Sequence, residues 1–218
     1  MSTLLNEYRN KLISDSEAAS LVKSGNTLVY GSFLARPVDF DRALTRRRDE
    51  LRDVNIYWAG GMTPTESVMS DPGQEHFVGN VWFYGGADRV LGDKGLIYFD
   101  PMTMGEIQEA IAHPEFNIDI HVQQVSPMDE HGFFSFGLTN VYSLEACLKA
   151  RKVILEVNRN MPRLFGGAED SIHISMVDHI IEGSNSPLFE LPPAKKPTVE
   201  DQKMAELLLP EIPDRACL

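Results

Sequence analysis

Short apolar runs rich in β-branched and aromatic residues recur along this chain, and segments with helical periodicity separate several of them. Runs of this kind suit strands that are buried on both faces of a sheet. Between them, apolar residues repeat at helical spacing, as in Met104, Ile107 and Ile111. The alternation predicts an α/β fold, with an open, mostly parallel sheet flanked by helices and joined by right-handed crossovers. The predicted strands cover residues 28–30, 54–59, 81–84, 96–99, 118–122 and 153–157.

Two local signals predict where helices begin. Ser14 and Glu17 have the spacing of a capping box, in which each side chain binds the backbone N–H of the other residue. Asp100 followed by Pro101 is a second predicted start, because a carboxylate caps a helix and proline is tolerated at its first position.

The charge balance argues against nucleic acids and membranes as partners. The 218 residues include 20 basic and 32 acidic ones, a formal net charge of −12, so most of the surface would repel a phosphate backbone or an anionic lipid. No stretch approaches the roughly 20 apolar residues of a membrane span, and residues 1–11 lack the apolar core of a signal peptide. Cys147 and Cys217 are too few for a disulfide framework. We therefore expect a cytoplasmic protein.

Glycine follows three of the early predicted strands, as Gly31, as Gly60 with Gly61, and as Gly85 with Gly86. The carboxyl ends of strands in an open α/β sheet form the edge where ligands bind, and glycine lets a backbone approach a ligand closely. Tight turns alone would also explain each of these glycines. Their occurrence after three strands in series favours a ligand-binding edge.

Standard cofactor and metal motifs are absent from the sequence. It contains no Gly-rich dinucleotide loop, no phosphate-binding P-loop, and no Cys or His pair at the spacing of a zinc site. The polar cluster at residues 129–131 is interpreted as an exposed turn. The basic run at residues 46–48 fits the solvated face of a helix better than a clamp for an anionic ligand. We therefore predict neither a bound metal nor a resident cofactor.

The C-terminal part of the chain differs in composition from the rest. Prolines cluster from residue 187 onward, and residues 187–197 are predicted to form an extended linker. A helical pattern and an apolar segment follow, the same order of elements as near the N-terminus. The sequence therefore predicts an α/β domain over residues 1–186 and the start of a second domain over residues 198–218. Because a buried strand would be cut short at residue 218, we expect a truncation there.

Several segments together resemble one enzyme family. Residues 125–137 read VSPMDEHGFFSFG and are similar to the family pattern V-S-x-x-D-x-x-G-[FY]-x-[ST]-x-G. The chain resembles the acetyl-CoA hydrolase/transferase family, in the group of 4-hydroxybutyrate, butyrate and acetate CoA-transferases, from about residue 14 to residue 218. The other matching segments are residues 31–33 with Pro37, and residues 153–163, 171–175 and 177–182.

The resemblance implies two similar halves, each with the CoA-transferase (NagB/RpiA-like) fold, and an active site in the cleft between them. In this family a glutamate of the second half attacks the acyl-CoA thioester, and glutamyl-CoA is an intermediate. A carboxylate is a poor nucleophile in water, so it must be held in a dry cleft opposite donors for the oxyanion. That glutamate would lie beyond residue 218. The resemblance therefore assigns no catalytic residue to this chain, which we expect to be inactive alone.

The resemblance assigns substrate-binding roles to the glycine loops. By the resemblance, Gly31, Ser32, Gly60 and Gly61 line the acid or acyl pocket through backbone N–H groups and the serine hydroxyl. These four residues are the first predicted substrate contacts.

Four further candidates follow from the same resemblance. Ser126, Gly137 and Asn140 belong to a loop that is expected to face the cleft. Arg163 is a candidate partner for a substrate carboxylate, in competition with Arg159 and with a purely structural ion pair.

The implied function is transfer of CoA between an acyl-CoA and a small carboxylic acid, with coenzyme A as cosubstrate. Acetate, butyrate, 4-hydroxybutyrate, succinate and itaconate all stay open as substrates. One alternative is an acyl-CoA hydrolase, in which water replaces the acid, and another is a non-catalytic α/β ligand-binding module or subunit. Expected partners are the C-terminal half of the same protein or a second subunit, and further copies in a homo-oligomer.

Overall fold

A sheet of seven parallel strands forms the centre of the protein in a computed structural model that describes residues 2–217. The strands are β1 (Thr27–Tyr30), β2 (Val54–Ala59), β3 (Phe77–Phe83), β4 (Ile97–Phe99), β5 (Ile120–Val125), β6 (Phe133–Ser135), β7 (Lys152–Val157), β8 (Ser171–His173) and β9 (His179–Glu182). The sheet order is β4-β3-β2-β1-β5-β7-β9, and all neighbours run parallel. β6 and β8 form a separate antiparallel pair.

Helices cover both faces of this sheet. They are α1 (Ser2–Lys11), α2 (Asp15–Ser20), α3 (Asp39–Thr45), α4 (Glu66–Met69), α5 (Gly86–Asp93), α6 (Met104–Ala112), α7 (Ser143–Lys149) and α8 (Val199–Leu208). Phe40 of α3 and Val68 of α4 belong to one core, whereas Ile107 of α6 and Ala146 of α7 belong to another. The strand order reverses between β1 and β5, and such a reversal opens a crevice at the carboxyl ends of the two strands.

The predicted fold class is confirmed, and each predicted strand has a counterpart in the sheet. β3 begins at Phe77, earlier than the apolar run suggests. β5 continues to Val125 through the buried side chains of Gln123 and Gln124, whose polarity conceals the end of the strand in the sequence. The sequence does not predict β6, β8 and β9. Each of these strands has only three or four residues.

The predicted capping box before α2 is confirmed. The Ser14 hydroxyl accepts a hydrogen bond from the Glu17 N–H (3.1 Å), and the Glu17 carboxylate accepts one from the Ser14 N–H (2.8 Å). Local chemistry alone therefore determines where α2 begins.

The helix start predicted at Asp100 and Pro101 is wrong. The backbone N–H groups of Asp100 and Met102 donate to carbonyl groups of β3, which holds residues 100–102 beside that strand. α6 begins after this segment, where Thr103 and Glu106 form their own capping box. Pairing with the sheet thus outweighs a local helix signal.

The C-terminal segment packs little against the rest of the chain. Residues 187–198 contain no helix or strand. None of the residues of α8 is buried, and Met204, Leu207 and Leu208 each expose more than half of their surface. Residues 216–217 form no strand, and Leu218, the last residue of the predicted strand start, lies outside the described residues. The domain boundaries at residues 186 and 197 stay a prediction.

Within residues 2–217, no helix combines the length and apolar character required to cross a membrane.

Candidate functional site

A pocket of about 540 Å³ opens at the carboxyl edge of the sheet, where the strand order reverses. Its lining comes from residues 33–38 after β1, residues 62–66 after β2, residues 186–189 after β9, and Gln124 near the end of β5. This size and this position are typical of small-molecule sites in open α/β sheets.

Two polar side chains lie at the deep end of the pocket. Arg36 and Gln124 line it although only 6% and 3% of their surfaces are exposed. The Arg36 guanidinium donates to the hydroxyl groups of Thr65 (2.9 Å) and Thr63 (3.1 Å), which fixes its orientation. Burial lowers the pKa of Arg36, and neighbouring buried carboxylates, Asp41 among them, raise it. The deep end therefore offers hydrogen-bond donors.

Asp41 anchors α3 and α4 beside the pocket. Its buried carboxylate accepts hydrogen bonds from the Ser67 hydroxyl (2.6 Å), the Glu66 N–H (2.7 Å) and the Tyr30 hydroxyl (3.2 Å). Burial raises the pKa of Asp41, while the Ser67 hydrogen bond and the charge of Arg36 lower it. Because three donors already surround this carboxylate, Asp41 serves as an anchor and not as a reacting group.

A second buried carboxylate lies behind the pocket wall. Glu156 of β7 accepts hydrogen bonds from the backbone N–H groups of Val38 (2.8 Å) and Phe40 (2.9 Å) and from Nε2 of Gln124 (2.8 Å). Nδ2 of Asn158 donates to Oε1 of Gln124 (3.1 Å). Burial raises the pKa of Glu156, and the three hydrogen bonds lower it. This network joins β5, β7 and the start of α3.

The segment after β9 forms the remaining wall and is tied to the same elements. The Ser184 N–H donates to the Asp39 carboxylate (2.6 Å), and Nδ2 of Asn158 donates to the Ser186 carbonyl (3.0 Å). Beyond these anchors the chain continues to Phe189, which lies at the rim. The beginning of the predicted linker is therefore part of the pocket.

The glycine loops provide space for close packing around the pocket. The N–H groups of Gly31, Gly60 and Gly61 already donate to acceptors inside the protein. A Cβ at Gly31 would collide with the Ala35 carbonyl, and Gly60, with φ of +65°, packs against the Phe33 ring. These hydrogen bonds occupy the N–H groups that are predicted to face a ligand, and the three glycines are not among the residues that line the pocket. A contact between the three glycines and a ligand stays a prediction.

Replacing Gly31 with alanine is expected to lower the free energy of unfolding by about 1–3 kcal/mol, because the obstructing Ala35 carbonyl is backbone and cannot rotate away. Gly105→Ala is the matched control. A Cβ at this α6 position meets nothing within 4 Å, so alanine should stabilise the helix slightly. Urea unfolding measures both variants, and equal stabilities would contradict the close packing at Gly31.

Ser32 remains a predicted ligand contact. Its hydroxyl is buried and has no hydrogen-bond partner among the described residues. Its carbonyl accepts a hydrogen bond from the Thr139 hydroxyl (2.9 Å), which anchors the loop. Buried hydroxyl groups are rarely left unpaired. Ser32 is not among the residues that line the 540 Å³ pocket, and its contact with a ligand stays a prediction.

Arg163 and Arg159 do not line the 540 Å³ pocket. Arg163 forms an ion pair with Asp129 (2.7 Å), which is the structural alternative to substrate binding. Arg159 lines a smaller cavity of about 340 Å³, together with Tyr8 and Glu182. A substrate contact by Arg163 stays a prediction that this placement does not support.

Ser126, Gly137 and Asn140 also lie outside the pocket lining. The Ser126 hydroxyl accepts a hydrogen bond from the Ser135 N–H (3.0 Å), and the Asn140 side chain donates to a backbone carbonyl (2.6 Å). Gly137 has φ of +70°, a conformation that favours glycine. Each residue thus has a local structural role, and their ligand contacts remain predicted.

The basic run at residues 46–48 is held by the chain itself. Arg46 pairs with Asp15 (2.9 Å), whereas Arg47 and Arg48 donate to backbone carbonyl groups. This placement supports the structural interpretation of the run. Among residues 2–217, no three His, Cys, Asp or Glu side chains are grouped as metal ligands.

The sequence matches a known family over most of its length. The model of the acetyl-CoA hydrolase/transferase N-terminal domain matches residues 3–190. The chain belongs to this family. The resemblance seen in residues 125–137 and 153–163 is thereby confirmed, and the pocket described above lies within the N-terminal domain of an acetyl-CoA hydrolase/transferase.

Relatives of this acetyl-CoA hydrolase/transferase domain are about twice as long. It is 40% identical over 212 residues to the butyryl-CoA:acetate CoA-transferase of Anaerostipes caccae, covering 97% of this chain and 48% of that protein. It is 38% identical over 215 residues to the probable butyrate:acetyl-CoA coenzyme A-transferase of Syntrophomonas wolfei subsp. wolfei, covering 99% and 48%. The crystal structure of RipA from Yersinia pestis superposes with a TM-score of 0.85 at 31% identity, covering 99% and 51%. The chain thus spans about half the length of the curated relatives it matches.

Proposed function

We propose that this domain is the N-terminal half of a CoA-transferase that moves CoA between an acyl-CoA and a small carboxylic acid. The pocket at the strand-order reversal carries this proposal, because about 540 Å³ accommodates a short acyl chain. Similarity to two proteins named as butyrate- or butyryl-CoA transferases supports it. Coenzyme A is a cosubstrate here, and the range of acids is acetate, butyrate, 4-hydroxybutyrate, succinate and itaconate.

A second half completes the proposed enzyme. It supplies the attacking glutamate and covers the open side of the pocket. The half-length match to relatives supports this arrangement, and so does the apolar surface that α8 exposes. The complete enzyme is proposed to work in the cytoplasm as a homo-oligomer.

The residues of this chain then bind and shield the acyl group. Arg36 and Gln124 supply donors at the deep end, and Asp41 and Glu156 hold the surrounding loops. Phe189 and its neighbours limit access of water from one side. A carboxylate nucleophile gains reactivity when a closed cleft removes the water around it.

The 218-residue chain alone is expected to form no butyryl-CoA from acetyl-CoA and butyrate, because it lacks the nucleophile. Chromatography of the CoA esters after several hours measures this, with the complete Anaerostipes caccae relative as the positive control. Butyryl-CoA made by the purified chain would overturn the placement of the nucleophile. Release of free CoA without butyryl-CoA would favour the hydrolase alternative.

Fusing the second half of that relative to this chain is expected to restore butyryl-CoA formation. Circular dichroism and gel filtration verify that the fusion is folded. A folded fusion that makes no acyl-CoA exchange would contradict the proposed function.

A further inference from the structure

One wall of the pocket, residues 186–189, is attached to the protein at its first residue only. This wall segment follows β9 and belongs to the pocket lining. Among the described residues, residues 187–197 form no backbone–backbone hydrogen bond with another part of the chain. Phe189 is also 44% exposed, so packing holds it only in part. The position of the wall segment therefore depends on the bonds formed just before Pro187.

Three asparagines form those bonds, which join the chain after β7 to the chain after β9. Nδ2 of Asn158 donates to the Ser186 carbonyl (3.0 Å), and Nδ2 of Asn160 donates to the Asn185 carbonyl (2.7 Å). Oδ1 of Asn185 accepts a hydrogen bond from the Arg159 N–H (2.7 Å). Asn185 has φ of +57°, a left-handed conformation that asparagine adopts more readily than most residues. The chain enters the wall segment from this fastened turn.

Asn158 differs from the other two asparagines, because its side chain also contacts the deep end of the pocket. Asn158 is 1% exposed, and its Oδ1 accepts a hydrogen bond from the Asn160 N–H (2.9 Å). A backbone N–H only donates, so this bond directs Nδ2 of Asn158 toward two acceptors. They are the Ser186 carbonyl and Oε1 of Gln124 (3.1 Å). The protein itself therefore uses both N–H groups of the Asn158 amide.

The orientation of Gln124 follows from this contact. Because Asn158 donates to Oε1, Nε2 of Gln124 faces the Glu156 carboxylate and donates to it (2.8 Å). Gln124 lines the pocket although it is only 3% exposed. Without Asn158, the Gln124 amide loses one of the two partners that fix its direction. A single buried amide thus holds a group at the deep end and the start of the wall segment.

From these contacts we propose that Asn158 is a positioning residue of the acyl pocket. It keeps the wall segment and the Gln124 amide in place before a ligand enters, although Asn158 itself does not line the pocket. A pocket that is ordered in advance binds more tightly, because its wall does not lose further freedom on binding. The inference rests on the proposed function for the identity of the ligand, a short carboxylic acid.

Asn158→Leu tests this role, because leucine has nearly the same size and no hydrogen-bonding group. The ¹⁵N heteronuclear NOE values of Leu188 and Phe189 measure the order of the wall segment. Titration with butyrate, followed through the amide signals of residues 33–38 and 62–66, measures affinity. We expect both NOE values to fall and butyrate to bind about 10-fold more weakly, the cost of ordering one large side chain on binding.

Asn160→Ala provides a second test if Asn158→Leu does not fold. Asn160 is exposed, and the variant removes only its hydrogen bonds to two backbone carbonyl groups of the turn. The NOE values should fall less, and butyrate should bind about 2-fold more weakly, because the Asn158 attachment remains. Asn117→Ala is the matched control, since exposed Asn117 donates to the Glu115 carbonyl (3.3 Å) away from the pocket. It should change neither quantity.

The outcomes separate this inference from the proposed function. Unchanged butyrate affinity in the folded variants would overturn the positioning role and leave the acyl pocket intact, even if urea unfolding shows a loss of stability. Weaker butyrate binding with unchanged NOE values would also overturn it, because the wall segment would then be ordered without these bonds. If butyrate shifts none of the pocket signals of the unmodified chain, the acyl pocket of the proposed function is wrong, and the inference fails with it.

Discussion

Asp88→Ala is expected to lower the free energy of unfolding by about 4 kcal/mol, because it leaves three donors without an acceptor, two of them buried and one half-buried. The Asp88 carboxylate is fully buried and accepts hydrogen bonds from Nε1 of Trp58 (2.9 Å), the N–H of Gly85 (2.8 Å) and the N–H of Gly61. It thereby joins β2 to the start of α5 and holds a glycine loop. Equilibrium urea unfolding measures the loss.

Asp93→Ala provides the comparison for this variant. Asp93 is the last residue of the same helix and is exposed, so its replacement should change the stability by less than about 0.5 kcal/mol. Asp88→Asn should fall between the two, because one end of the amide still accepts hydrogen bonds. A loss below about 1 kcal/mol for Asp88→Ala would show that Asp88 does not hold these elements together.

The second large effect concerns pH and His121, a fully buried residue of β5. Burial lowers the pKa of His121 from 6.5 to about 4. Between these pH values the unfolded chain binds a proton at this histidine and the folded chain does not, so stability falls as the pH falls from about 6.5 to about 4. The shift corresponds to about 3 kcal/mol over that range.

His121→Asn should remove this part of the pH dependence. Its amide can take over the hydrogen bond that Nδ1 of His121 makes with the Val29 carbonyl (2.9 Å), and it does not titrate. Burial raises the pKa of Asp41 and Glu156, which favours the folded state at low pH. The difference between wild type and variant isolates the histidine.

Urea unfolding at several pH values between 7 and 4.5 measures that difference. His131→Asn serves as the control, because 75% of the His131 side chain is exposed. Its stability curve should run parallel to that of the wild type. A parallel curve for His121→Asn would mean that His121 titrates normally in the folded protein.

Most of the sheet can be predicted from the sequence because most of its strands contain short runs that are mainly apolar. β2 coincides with the predicted run over residues 54–59, in which Val54, Ile56 and Trp58 are buried on one face and Asn55 and Tyr57 are half-buried on the other. The helix start at Asp100 cannot be predicted in this way, because hydrogen bonds to β3 decide the conformation of residues 100–102. Local sequence signals predict a helix start correctly where no hydrogen bond to another element competes with them, as at Ser14.

The candidate site is less accessible to sequence reasoning. Glu156 lies 118 residues from Val38 and 32 from Gln124 along the chain, and nothing in the sequence indicates that these groups meet. Arg36 has a weak signal, a charged residue in the loop directly after a buried strand. Two consecutive glutamines at the end of the apolar run of β5 are a clearer signal, because buried amides need partners.

One short stretch of chain, residues 186–189, borders the pocket and also leads toward α8. Nδ2 of Asn158 donates a hydrogen bond to the Ser186 carbonyl, which fixes the start of this stretch. Nine residues, 190–198, separate Phe189 at the pocket from the first residue of α8. A short covalent connection therefore limits how far α8 can lie from the pocket.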